Sequence, residues 1–436
     1  MARTIEQTTM RKVYLRLLPF AILTYFFCYL DRINVGFAAL TMNKDLGLTA
    51  TVFGMSAGAF FWGYFLFEVP SNLIMERVGA RIWIARIMIS WGLLSGATAF
   101  VTGPTGFLIL RFLLGAAEAG FFPGLILFFT YWFPDHHRAR IVSGFTMALP
   151  LAIALGAPMS TGVLELNGLL GLAGWKWMFI VEAIPTLLLG VGVLFYLTDR
   201  PAKAHWLTAE ERAWLVDQLE TEKRQIEAVR KFSLWETFWN AKVLLISLNY
   251  FGIVTASLGM ALFIPQIIKQ LGLSNMQVGF ATSIPYICGT ISMIVWGQVS
   301  DRMQERRWNL FGSCAVSAIG LIVAAATIGT YWSLVGMSIA AIGFYGTKGP
   351  LFALPSMFLS GTAMAGGFAW INSLGNLGGY FGPTIVGMVK DQTGSFVGGL
   401  YALAAFAAMS AIVAAVGLNI PRIVPSQAQL RASAAD

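Results

Sequence analysis

Charge is what this chain is short of. Asp, Glu, Lys and Arg together make up 11% of its 436 residues, less than half of the roughly 25% carried by a soluble domain. With 57% of its residues hydrophobic, a water-soluble fold would leave large apolar patches facing solvent and would aggregate. A soluble enzyme is excluded. Cysteine is scarce as well: Cys28, Cys288 and Cys314 each lie in an apolar run and share no CxxC spacing. That excludes a disulfide framework and a cysteine metal site. The three histidines, His136, His137 and His205, sit in polar segments without metal-ligand company, so neither a metal nor a cofactor is expected.

What is abundant is long apolar sequence, with a mean hydropathy of +0.70. A spanning helix needs ~20 mostly apolar residues. Twelve such runs are predicted, in two groups of six: 14–40, 51–75, 82–101, 106–133, 141–166 and 177–197, then 243–270, 278–299, 310–328, 331–358, 363–389 and 396–420. The first run is long, contains Asp31 and Arg32 and has no small-residue cleavage site, so it reads as a membrane helix and not as a signal peptide. The net charge of +8 is dispersed in short basic clusters between the runs, a topology signal and not a groove for nucleic acid.

These clusters fix the expected orientation. Arg3, Arg11, Lys12, Arg16, Arg77, Arg81, Arg138, Arg140, Arg302, Arg306, Arg307, Arg422 and Arg431 all fall on one side, leaving Lys44, Lys176, Lys269 and Lys390 on the other. Both termini are therefore expected in the cytoplasm, in the inner membrane of a bacterium. The predicted organisation is a six-helix half over 1–198, a cytoplasmic linker over 199–242, a second half over 243–420 and a tail over 421–436. The linker holds much of the chain's charge and reads as a solvated tether, partly helical, with Thr208 as N-cap ahead of Glu210 and Glu211.

A repeat relates the halves. Glu76-Arg77-Val78-Gly79-Ala80-Arg81 follows the second run, and Asp301-Arg302 with Arg306-Arg307 follows the eighth. These loops resemble the signature loop of the major facilitator superfamily. The first copy departs from it with Glu76 for Asp and Asn72 for Gly, and the second is one residue longer. Further runs resemble the anion:cation symporter family: Tyr29-Leu-Asp31-Arg32-Ile-Asn34, Tyr64-x-x-x-Glu68-Val-Pro70-Ser71-Asn72, Arg111-Phe-Leu-Leu-Gly115-Ala-Ala-Glu118-Ala-Gly120, Gly174-Trp-Lys-Trp177-x-Phe179-x-x-Glu182 and Asn372-Ser-Leu-Gly375-Asn376-Leu-Gly378-Gly379. The resemblance covers the whole chain. It implies an all-α membrane protein of twelve transmembrane helices in two pseudo-symmetric halves. It also implies transport of organic anions such as tartrate, aromatic carboxylates or sugar acids.

Charges inside the bilayer are costly and mark function. Arg111 and Glu118 are seven residues apart, two turns along one helix face. Asp31 and Arg32 are adjacent and so point about 100° apart. Arginine's fork suits bidentate capture of a carboxylate, so Arg32 and Arg111 are the expected anion contacts. Asp31 and Glu118 are expected to carry the coupled proton: protonated, they release the arginines to substrate, and deprotonated, they reclaim them. The family positions match these assignments. Tyr64, Lys348, Asn372 and Asn376 are further expected substrate contacts, while Glu68 and Glu182 read as structural. Glu76, Arg77, Arg81, Asp301, Arg302 and Arg306 are the expected conformational latch.

The expected activity is proton-coupled uptake of an organic anion by alternating access, by a monomer whose partners are that anion, protons and the bilayer. The alternative is proton-driven export of cationic or amphiphilic compounds, which Gly156-Ala-Pro158 and Gly162 faintly echo. An enzyme is not expected. Gly54-Met-Ser56-Ala-Gly58 spells GxSxG, but it lies in an apolar helical run and lacks the strand-turn-helix context of a nucleophile.

Overall fold

The computed structural model describes residues 4–228, 234–303, 305–359 and 361–419. Among them there are helices and no strand. The first group is α1 (Ile5–Asp45), α2 (Ala50–Val78), α3 (Ala80–Ala97), α4 (Pro104–Glu118), α5 (Phe121–Thr130), α6 (Asp135–Thr146), α7 (Ala148–Leu164) and α8 (Gly174–Tyr196). The linker carries α9 (Ala209–Ala228) and α10 (Leu234–Phe238). The second group is α11 (Ala241–Lys269), α12 (Asn275–Met303), α13 (Arg307–Ala326), α14 (Trp332–Gly346), α15 (Lys348–Ala353), α16 (Gly361–Asn376), α17 (Gly378–Thr393) and α18 (Val397–Gly417). The expected tail, 421–436, and linker residues 229–233 lie outside the described residues.

Ten helical segments among the described residues are long and apolar enough to cross a membrane. The other two expected spans, 331–358 and 363–389, are each built from two shorter helices, α14 with α15 and α16 with α17. The breaks fall at Thr347 and Leu377, inside the Gly- and Pro-bearing runs Gly346-Thr-Lys-Gly-Pro350 and Gly375-Asn-Leu-Gly-Gly379. A third interruption separates α4 from α5, where Gly120 adopts φ +87, a conformation that glycine reaches without Cβ strain. Broken helices are tolerated at membrane depth where protein or a cavity surrounds them.

Helices of the two groups meet chiefly through α2 with α17, α7 with α12 and α1 with α11. The close contacts cluster at the end remote from the N-terminus and the linker, here the far end. A Cβ on Gly54 would collide with the Pro383 carbonyl, and one on Gly387 with the Ala50 carbonyl. Asp391 of α17 accepts from Ala50 N at 3.0 Å and Thr51 N at 2.8 Å, so it caps α2 from the other group of helices. Ser283 of α12 donates to the Ala154 carbonyl at 2.6 Å.

At the opposite, linker end, the charged connection is docked instead of trailing free. Thr208 and Glu211 form a reciprocal capping box: Glu211 N donates to Thr208 Oγ1 at 3.2 Å, and Thr208 N to Glu211 Oε2 at 2.9 Å. The same carboxylate takes Lys12 of α1 at 2.7 Å, and Arg138 of α6 reaches Glu222 at 3.2 Å. Trp206 stacks on Trp132 with centroids 5.3 Å apart, while Leu207 and Leu215 are buried. These apolar anchors inside a charged run are what a reading by charge alone misses. Burial raises Glu211, but the Lys12 ammonium and the Thr208 N–H outweigh it and hold the carboxyl below its usual range.

Candidate functional site

Asp31, Arg32, Arg111 and Glu118 all come to the interior, but not as one four-member network. Asp31, 2% exposed, accepts from Trp91 Nε1 at 2.8 Å, Ser95 Oγ at 3.1 Å and Thr186 Oγ1 at 3.0 Å. Its donors are neutral and come from α3 and α8. The expected arginine partner is absent among the described residues. Trp91 and Ser95 are four residues apart, one helical face, so the sequence held a trace of this cradle without naming its occupant.

Arg32 donates to Glu118 Oε1, and Cys28 Sγ reaches the same oxygen at 3.2 Å. The guanidinium lies 5.1 Å from the Phe60 ring, 5.3 Å from Tyr64 and 5.6 Å from Tyr29, in cation–π range. Tyr64 is thus placed beside Arg32. Glu118 is the last residue of α4, immediately before the break at Ala119–Gly120.

Arg111, one of the largest fully buried side chains, sits two turns earlier on α4. Its guanidinium lies 5.3 Å from the Phe60 ring. Its Nε has no hydrogen-bond partner among the described residues, and no carboxylate among them stands within ion-pair distance. A buried charge normally carries a partner, because leaving it alone is expensive. Arg111 is therefore a buried guanidinium beside an aromatic ring, in the field of Glu118 and Asp31 but ion-paired with neither among the described residues.

A second such cation comes from the other group of helices. Lys348, at the α14–α15 break, lies 4.9 Å from the Tyr250 ring and 5.7 Å from Phe352, with no carboxylate within ion-pair distance among the described residues. Glu182 is engaged elsewhere, accepting from Asn34 Nδ2 at 2.9 Å and Ser160 Oγ at 2.6 Å. Tyr250, which the sequence did not single out, is the ring that receives Lys348.

Asn372 already has a protein partner: its Nδ2 donates to Glu68 Oε1 at 2.9 Å, and Ser373 Oγ donates to Glu68 Oε2 at 2.6 Å. A buried carboxylate of α2 thus joins α16 across the two groups. Asn376, the last residue of α16, is half-buried beside the α16–α17 break.

Of the latch residues, Glu76, Arg77, Arg81 and Arg302 are exposed at the linker end. Arg81 N donates to Asp199 Oδ1 at 2.8 Å, and the Gly79 turn, φ +100, places a missing Cβ against that carboxylate. Asp199 therefore anchors the α2–α3 turn, through a partner 118 residues away that no local pattern announces. Arg306 Nη1 donates to Ser300 Oγ at 2.8 Å. The side chain of Asp301 lies outside the described residues.

Comparison with known proteins agrees with this architecture. The Major Facilitator Superfamily profile matches residues 21–383. A protein of Agrobacterium vitis named "Putative tartrate transporter" is 51% identical over 409 residues, covering 94% of this chain and 91% of that protein. A quinolone resistance transporter of Acinetobacter baumannii is 38% identical over 399 residues, covering 91% and 92%. Among solved structures, a bacterial homologue of the human lysosomal transporter Spinster, in an inward-facing and occupied conformation, superposes with a TM-score of 0.77 at 15% identity, covering 95% of this chain and 99% of that one.

Proposed function

Because the chain belongs to the Major Facilitator Superfamily and is a multi-pass membrane transporter, not an enzyme, we propose that it takes up a small organic anion together with protons, by alternating access. The observation that carries this reading is Arg111, a buried guanidinium without an ion-paired acid among the described residues, beside an arginine that has one. Arginine's planar fork matches a carboxylate. The name of the Agrobacterium vitis relative supports a tartrate-like acid as cargo.

In this reading Glu118 and the substrate compete for Arg32. Protonation of Glu118 dissolves its ion pair and frees Arg32 to join Arg111 on the incoming carboxylate. Tyr64 adds a hydroxyl, and Lys348 a cation from the second half. Loss of the proton on the opposite side returns Arg32 to Glu118 and expels the anion. Asp31, cradled by three neutral donors, is the second proton carrier. The halves 1–198 and 243–420 rock about this site, as repeat-built transporters do. Charge asymmetry supports cytoplasmic termini in a bacterial inner membrane, so the far end, closed here, faces outward. The working unit is a monomer.

Export of amphiphilic compounds is the second reading, favoured by the name of the Acinetobacter relative. Proteoliposomes with an acidic exterior and a panel of labelled organic acids separate the two. Accumulation of one acid, abolished by protonophore, is the expected result. Extrusion of an amphiphilic dye with no acid accumulated would overturn the anion reading.

A further inference from the structure

The only adjacent histidines in the chain meet a carboxylate that the sequence places 130 residues away. Glu6 Oε1, in the first turn of α1, lies 2.9 Å from His136 Nε2 and 3.5 Å from His137 Nε2. The three candidate ligand atoms all lie within 4.8 Å of one another. Tetrahedral zinc with bonds of ~2.0–2.2 Å requires ligand separations of about 3.3–3.6 Å. The 3.5 Å separation falls in that range and the 2.9 Å one is shorter, so small side-chain rotations would open the trio to a metal ion.

The second shell is built as well. Tyr14 Oη donates to the His137 carbonyl at 3.1 Å and stands 3.3 Å from His137 Nδ1. In the tautomer that donates Nδ1–H to the Tyr14 oxygen, Nε2 carries the lone pair and faces Glu6. Fixing one imidazole nitrogen so that the other is offered is how metal-binding histidines are held. The ring of Tyr14 packs on Phe133 at 4.9 Å, and Arg138 Nε donates to the Phe133 carbonyl at 3.0 Å, so α1 and the start of α6 are held together at the site. A metal ion entering here displaces the proton that joins His136 Nε2 to Glu6 Oε1 at 2.9 Å, as metal binding to imidazole does.

We propose that Glu6, His136 and His137 form a binding site for a divalent first-row transition-metal ion, zinc above all, at the linker end of the transporter. Two imidazoles and one carboxylate suit zinc in chemistry and number, with a fourth position open to water. The ion would tie the start of α1 to the start of α6, beside the Lys12–Glu211 and Arg138–Glu222 contacts that dock the linker. The site lies apart from the transport pathway, so it is a place where metal availability would act on linker attachment and not on substrate capture.

The test is titration of tag-free, purified full-length protein with zinc against a chromophoric chelator. Saturable binding of one zinc per chain is expected, lost in the His136→Ala/His137→Ala double variant and kept in His205→Ala. Tyr14→Phe should weaken it by about 10–100-fold, which a mere surface ion pair would not do. Should the double variant fail to give a monodisperse protein, Glu6→Gln removes the charged ligand at an exposed position and carries the same expectation. Absence of saturable binding, or binding unchanged in the ligand variants, overturns the proposal and leaves the trio a histidine–glutamate ion pair.

Discussion

Arg32 and Glu118 form an ion pair between the middle of α1 and the final residue of α4, while Arg111, on the same helix as Glu118, has no such partner among the described residues. One helix therefore carries both the acid that occupies one arginine and a second arginine left open. Glu118→Gln keeps the shape and removes the charge. It should abolish accumulation driven by a proton gradient yet preserve counterflow exchange in substrate-loaded proteoliposomes. Normal pH-driven accumulation by the variant would refute the coupling role.

Arg111→Ala should lower uptake by ~30-fold or more, the equivalent of the 2–5 kcal/mol typical of a hydrogen-bonded charge contact, with an unchanged elution profile. Arg111→Lys keeps the charge but not the fork and should recover only part of the activity. Initial-rate uptake at several substrate concentrations checks both, and full activity in the alanine variant would remove Arg111 from the anion site.

Lys348→Gln should raise the KM for the transported anion while leaving the proton dependence of transport unchanged, because Lys348 contacts aromatic rings and, among the described residues, pairs with none of the proposed titrating acids. A shifted pH profile with an unaltered KM would place Lys348 in coupling instead.

Removing both donors to Glu68, in the Asn372→Ala/Ser373→Ala double variant, strands a buried carboxylate at a cost of about 1–3 kcal/mol or more. The state seen here should then be depopulated in favour of the opposite one. Single cysteines introduced along α17 near Gly387 should become more reactive to a membrane-impermeant reagent added from the far side. Unchanged labelling would mean that this contact does not bias the equilibrium.

Linker docking should depend on pH through Glu211. Its folded-state pKa is depressed, so the stabilisation is fully present above the ordinary glutamate value of about 4.3 and fades as pH falls through the lower folded value. Hydrogen exchange across 209–228, taken relative to its intrinsic rate, should be slow at neutral pH and faster once the pH falls below the ordinary glutamate value of about 4.3. Lys12→Met should speed it at neutral pH and flatten the dependence.

The twelve runs were legible because spanning length and apolarity are properties of local composition. The breaks at Thr347 and Leu377 were visible only as Gly and Pro clusters, and whether such a cluster packs or breaks depends on its neighbours. The buried charges were legible one by one, since each stands out against an apolar run. Their pairing was not. Asp31 turned to Trp91, Ser95 and Thr186 because α3 and α8 flank its face of α1, while Arg32 faces α4. Glu68 and Ser373 are 305 residues apart, and His136 and Glu6 are 130 apart. The family likeness supplied which residues to watch, and the helix neighbours supplied what each one touches.

Asp391 gives closure of the far end a thermodynamic scale. The first N–H groups of α2 point at a carboxylate on the other group of helices, so if the two groups part there, as the proposed cycle requires, one helix loses its cap and water must take its place. Losing a cap is worth ~0.5–2 kcal/mol, about twofold to thirtyfold in a population. This one contact is thus reversible at ambient thermal energy, and in the proposed cycle the binding of one proton or one anion would offset it.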